Sequence, residues 1–325
     1  LPARKLWALG AVVCLLLARL ALQGEAAQQG AQGNDSQDSP ISVDVNLVVV
    51  HATVSDRQGH PISGLEQHDF EVYEDGVPQP IRVFAHEDVP VTAGLVVDHS
   101  GSMRSKLAEV SAAARTFVEL SNPEDRMFVV NFNEHVFLGL PKDSPFTGSA
   151  AELELAISRA PATGKTALYD GIAKALEQMT AAPLDKKVLI VISDGGDNAS
   201  EHTLAQVLKL AEQSSATIYT VGIYDNDDPD RNPKVLRTLA SATGGIAFVS
   251  DDIRELSAFC TRIAHDIRAQ YTIGYAPSKP AQPGEYRAIR VVAKSARHGK
   301  LSVRARTGYL VAGAPRPAAI EQAHR

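Results

Sequence analysis

The stretch from Ala93 to Met103 constrains the fold more than any other, because an apolar run there ends abruptly in three oxygen-bearing side chains. Asp98, Ser100 and Ser102 occupy alternate positions. A short unbroken apolar run closed by a Gly-containing turn is the pattern of a strand buried on both faces of a parallel sheet, although periodicity alone leaves a helix open. Between Arg104 and Leu120, Leu107, Val110, Ala114, Phe117 and Val118 fall at helical spacing, so the order is strand, polar loop, helix. In an open α/β sheet that loop lies at the carboxyl end of the strand, where such sheets bind ligands.

From Ala93 onward strands and helices alternate, which implies a parallel sheet covered on both faces. Strands are expected at Ala93 to Val97, Met127 to Phe132, His135 to Leu140 as a short edge piece, Val188 to Ser193, Thr217 to Gly222 and Ile246 to Val249. Helices are expected near 104–120, 149–159, 167–180, 201–214, 233–242 and 252–269.

Alternation in a tight loop can turn Asp98, Ser100 and Ser102 toward one point, and one carboxylate with two hydroxyls suits a hard cation. Mg2+ is the natural guest, with Mn2+ or Ca2+ as substitutes. It prefers octahedral oxygen coordination and keeps waters, so a site poor in carboxylates leaves its charge uncancelled and a position open for an external Asp or Glu.

The run Asp98-His99-Ser100-Gly101-Ser102 resembles the Asp-x-Ser-x-Ser signature of von Willebrand factor A (VWA) domains, which carry a metal-ion-dependent adhesion site (MIDAS). In that family a threonine from a second loop and an aspartate after the fourth strand complete the site. Thr166 and Asp194 match them. The resemblance implies a Rossmann-like fold with one antiparallel edge strand and the strand order 3-2-1-4-5-6. Asp98 and Asp194 would then end neighbouring strands at the topological switch point. Read alone, the motif is a solvated Ser/Gly turn; three loops in the family's order carry the resemblance.

The flanks read differently. Val43, Val45, Leu47 and Val49 alternate with polar or small partners in a strand over Val43 to Val54, and Phe70 to Tyr73 and Ile81 to Ala85 flank a Glu74-Asp75-Gly76 hairpin signal. β character returns at Gln270 to Tyr275, Glu285 to Ala293 and Lys300 to Thr307. Neither flank is large enough for its own core, so 41–90 and 271–310 are expected to pair into one β-sandwich-like domain, with the α/β domain of 91–270 inserted between them. Together with the VWA motif, Asp69 to Gly76, Tyr271 to Tyr275 and Arg304 to Tyr309 resemble the VWFA-related family of exported bacterial proteins.

At the amino end, Arg4 and Lys5 precede an apolar stretch from Leu6 to Ala18, with small residues around Gly24 to Ala27. A cleavable signal peptide over 1–26 is expected, placing the protein in the periplasm, at the cell surface or outside the cell. An uncleaved anchor is the alternative; the run is shorter than the ~20 residues a spanning helix needs. Residues 27–40 read as a flexible linker and 311–325 as a disordered tail. Only Cys14 and Cys260 occur, so signal removal would leave no intramolecular disulfide. Cys260 shares a helical stripe with Leu256, Phe259, Ile263 and Ile267, and reads as a buried apolar residue. The formal charge of −6 gives no electrostatic footprint for nucleic acid.

Three other readings are weaker. Thr163 to Thr166 ends like a phosphate loop, but the required upstream glycine is Arg159. The acidic loop Asp225 to Asp230 lacks the Gly and Glu of an EF-hand and reads as a solvated turn or, secondarily, a second cation site. A hydrolase finds no nucleophile elbow and no zinc motif, and His99 occupies the variable position of the metal motif, so no enzyme is expected. The expected function is capture, through Mg2+, of a carboxylate on a partner protein or surface, with no nucleic acid and no small-molecule substrate. The alternative is an envelope structural or assembly component acting through its β domain.

Overall fold

The computed structural model describes residues 47–224 and 231–311. The expected signal, the linker, the first residues of the Val43 strand, the acidic loop and nearly all of the tail lie outside the described residues. The N-terminal flank supplies β1 (Val48–Ser55), β2 (Phe70–Glu74), β3 (Val77–Gln79) and β4 (Ile81–Ala85). The central region runs β5 (Val91–Asp98), α1 (Leu107–Glu119), β6 (Arg126–Phe132), β7 (Val136–Leu138), α2 (Ala150–Ser158), α3 (Leu168–Gln178), β8 (Lys186–Ile192), α4 (Leu204–Gln213), β9 (Thr217–Ile223), α5 (Pro233–Thr243), β10 (Ala247–Ser250) and α6 (Leu256–Arg268). The C-terminal flank adds β11 (Tyr271–Tyr275), β12 (Tyr286–Ala293), β13 (Ser302–Ala305) and β14 (Gly308–Leu310).

The central sheet has the order β10-β9-β8-β5-β6-β7. All pairs are parallel except β6 with the edge strand β7. This is the Rossmann-like α/β arrangement, with the chain reversing its direction of growth between β5 and β8. Every residue of β5 is buried, as helices on both faces require. Helix ends follow their caps. Thr203 and Gln206 form a capping box, so α4 starts at Leu204 rather than at 201; Asn232 caps α5, with Pro233 at its first position. Gly101–Met103 forms a 3-10 turn, which delays α1 to Leu107.

The flanks build two further sheets, β13-β1-β11-β4 and β14-β12-β2-β3. Each mixes strands from both ends of the chain. Val50, Ala52, Val54, Phe70, Val72, Tyr271, Ile273 and Tyr275 fill the core between them, with the Phe70 and Tyr271 rings 4.9 Å apart. One pairing differs from expectation. The Asp75-Gly76 turn, with φ of 49° and 78°, joins β2 to β3, while Ile81–Ala85 crosses to the other sheet and pairs with β11. The physical reason is Pro80, which has no N–H to continue the ladder beyond Gln79.

Helix α6 passes into β11 through Ala269 and Gln270 alone. Among the described residues no helix is long and apolar enough to cross a membrane. Cys260 sits inside α6 at 1% exposure, and burial pushes its thiol up to about 12. It is therefore expected to resist iodoacetamide in the folded protein and to react once denaturant is added, read by mass of the Cys260 peptide; rapid native alkylation would show α6 opening.

Candidate metal site

Asp98 is the last residue of β5, and Asp194 follows the end of β8, its neighbour in the sheet. Parallel pairing in register, Val97 beside Ile192, brings the two loops side by side. Between them the oxygens converge. Ser100 Oγ lies 3.1 Å from Ser102 Oγ, and Ser102 Oγ donates to Asp194 Oδ2 at 2.8 Å. The other Asp194 oxygen accepts the Gly196 N–H at 3.0 Å.

Asp98 stands behind this group with both oxygens engaged. Oδ1 accepts the Ser100 N–H at 2.8 Å and Oδ2 accepts the Ser193 hydroxyl at 2.7 Å. It is 0% exposed. Burial, and next the Asp194 charge, push its carboxyl up to about 6, against the opposing bonds from Ser193 and Ser100. Two carboxylates held this close in a buried setting are eased by positive charge between them.

Thr166 enters from the loop before α3. Gly101 N–H donates to Gly164 O at 3.2 Å, which seats that loop against the serine loop. Thr166 is buried, and its N–H donates to Asn198 Oδ1 at 2.9 Å. Its hydroxyl forms no hydrogen bond to Ser100, Ser102 or either aspartate. His99 turns away from the cluster: it is 0% exposed, its Nε2 pairs with Asn131 Oδ1 at 3.0 Å, and burial holds its pKa below the usual histidine value.

The donor chemistry fits a hard dication. Hydroxyls and carboxylate oxygens dominate, and among the described residues no three His, Cys, Asp or Glu side chains form a metal-holding group. A cation here would be held largely by Ser100, Ser102, Thr166 and Asp194, with Asp98 oriented by Ser193 and acting directly or through water. Ser193 and Asn198 are supporting residues that motif reading missed. Ser193 had a signal, since it directly precedes Asp194 at the end of the same apolar strand.

A sequence profile of the von Willebrand factor type A domain matches residues 94–262. No curated protein matches the chain. Among solved structures it is similar to a von Willebrand factor type A protein from Catenulispora acidiphila, at 19% identity and a TM-score of 0.49, covering 74% of this chain and 73% of that one. It is also similar to the vWF domain of the type V pili tip protein Mfa5 from Porphyromonas gingivalis, at 16% identity and a TM-score of 0.47, covering 55% of this chain and 95% of that one. A third is proximal thread matrix protein 1 from the mussel byssus with a zinc-occupied MIDAS motif, at 19% identity and a TM-score of 0.50, covering 61% of this chain and 50% of that one. At such identities the likeness is one of fold.

Proposed function

We propose, from the premise that this chain belongs to the von Willebrand factor type A domain family, that it is an exported interaction protein capturing a carboxylate on another protein or surface through Mg2+. Domains of this family are protein-interaction modules. The observation that carries the finer reading is the convergence of Ser100 Oγ, Ser102 Oγ and Asp194 Oδ2, at 3.1 and 2.8 Å, on the switch point of the sheet. A divalent cation bound there supplies a positive centre that an Asp or Glu of the partner can complete. Ser100, Ser102 and Thr166 contribute neutral oxygens, so that charge is left for the partner. Asp194 binds directly or through water, and buried Asp98 orders the serine loop from behind.

The role of the flanks belongs to the same proposal: 41–90 and 271–310 act as one β domain carrying the inserted domain, downstream of a cleaved signal at 1–26. One support stands beside the chemistry: the site sits on a rim open to a partner, since Ser102, Lys165 and Asn198 are exposed.

The test is titration of Mg2+ and Mn2+, into the millimolar range, against the full chain by calorimetry. Saturable binding is expected in the native chain and its loss, by roughly a hundredfold or more, in Ser102→Ala. Equal binding by a folded Ser102→Ala variant would exclude this site and favour a β domain acting without the metal.

A further inference from the structure

The loop that delivers Thr166 is held in an unusual way: none of its N–H groups at 163, 165, 166 or 167 bonds within the loop. Thr163 N–H donates to His99 O at 2.9 Å, Lys165 N–H to Glu134 Oε2 at 2.9 Å, Thr166 N–H to Asn198 Oδ1 at 2.9 Å and Ala167 N–H to Asn133 O at 2.7 Å. Outside donors hold its carbonyls too, Asn198 and Ala199 N–H donating to Thr166 O at 2.9 and 3.1 Å, so the loop takes its shape from its neighbours and loosens locally where one of them is removed.

Of these acceptors, Glu134 is an exposed side chain on the turn between β6 and β7, outside the metal motif. Its position is intimate. A Cβ on Gly164 would lie 1.7 Å from Glu134 Oε2, so the carboxylate occupies the space that a side chain at 164 would fill. Gly164 has φ +82°, a conformation that already favours glycine, and its carbonyl is the one that meets Gly101 beside Ser100 and Ser102. Glu134 thus grips the turn that ties the threonine loop to the serine loop.

We infer that Glu134 is a positioning residue, a side-chain latch that holds the Gly164-Lys165 turn so that Thr166 stays registered against Ser100 and Ser102. It rests on the proposed metal function for its consequence, but not for its geometry. A group that orients a ligand from outside the coordination sphere typically changes metal affinity by roughly ten- to a hundredfold when removed.

The experiment uses the full chain with Glu134→Ala and Glu134→Gln, and Ser102→Ala as the control for the site itself. Two readouts are taken: Mn2+ affinity by calorimetry, and amide exchange at Lys165 and Thr166 in the metal-free chain. The Ala variant is expected to bind Mn2+ roughly tenfold more weakly and to exchange faster at Lys165, with an unchanged melting temperature. The Gln variant keeps the acceptor without the charge, so it should restore both readouts to near native. If Gln behaves like Ala, the effect is charge and the latch is wrong. Native exchange in the Ala variant overturns the latch as well. Should the native chain bind no Mn2+, the metal reading fails by itself, and exchange at Lys165 alone judges the latch.

Discussion

Replacing Arg304 by Met is expected to cost the protein about 3 kcal/mol or more, lowering the melting temperature by roughly 6–12 °C. Arg304 Nη2 donates to Asp266 Oδ1 at 2.5 Å, and its other terminal nitrogen donates to the Gly244 carbonyl. Asp266 is a buried residue of α6, whose second oxygen accepts the Tyr219 hydroxyl at 2.5 Å. Burial and then the Asp266 charge push the Tyr219 phenol well above its usual pKa, so it stays protonated and donating. Gln270 Nε2 donates to the same phenol oxygen at 3.1 Å. Without Arg304 the carboxylate remains buried opposite two neutral hydroxyls, Tyr219 and, at 3.5 Å, Thr53, and a buried charge without its counter-charge is costly.

The size of that loss says nothing of what the pair contributes over a neutral alternative, because desolvating both charges offsets much of their attraction. A cycle separates the two. Asp266→Asn alone leaves the guanidinium facing an amide; with Arg304→Met added, no charge remains to be stranded. The double variant is expected to lose less than the sum of the single losses by about 1–3 kcal/mol in urea melts. Additive losses would mean that Arg304 acts through Gly244 and not through Asp266. The pair matters beyond its energy because it joins α6 to β13, so it holds the inserted sheet against the flanking sandwich.

The central fold was legible because its signals are local. The apolar run at Ala93 to Val97 reads as a strand once the helical spacing of 104–120 follows it, and every residue of Val91–Asp98 is buried. The cap at Thr203, although within three residues of the N–H it satisfies, is not contained in the apolar spacing, which starts α4 at 201. Of the candidate site, Asp98, Ser100 and Ser102 can be read from one loop, whereas Thr166 and Asp194, the latter two residues past the end of β8, come only from the family resemblance. What escaped was long-range. Glu134 meets Lys165 across 31 positions, and Arg304 meets Asp266 across 38, distances at which neither charge nor spacing names a partner. Alternation in Val48–Ser55 marks a buried face, yet it does not say that β13 and β11 lie on either side. The strand after Pro80 left the hairpin because Pro80 cannot continue the ladder, and packing chose β11 as its partner, which a hairpin signal at Asp75-Gly76 does not contain.

Gly244 offers the sharpest test of how closely the sandwich is pressed on the inserted domain. It ends α5 with φ +83°, and Gly284, in the turn before β12, has φ +81°. Backbone conformation therefore penalises an added methyl group about equally at both, by about 1 kcal/mol. Their surroundings differ completely. Around Gly284 a Cβ would meet nothing within 4 Å, whereas at Gly244 it would lie 2.6 Å from the Ala305 carbonyl carbon and 2.6 Å from the Arg306 nitrogen. Those are backbone atoms of the chain leaving β13, held by Arg306 donating to Ser214 O at 3.0 Å and Glu212 O at 2.9 Å, so they cannot swing aside as a side-chain tip can. Forcing them apart adds an overpacking cost of about 1–3 kcal/mol. Gly244→Ala is expected to lose about 3 kcal/mol in urea melts and Gly284→Ala about 1. Equal losses would mean that β13 yields freely at this contact, and then the Arg304 clasp, which reaches the Gly244 carbonyl from the same strand, must close on a joint that moves.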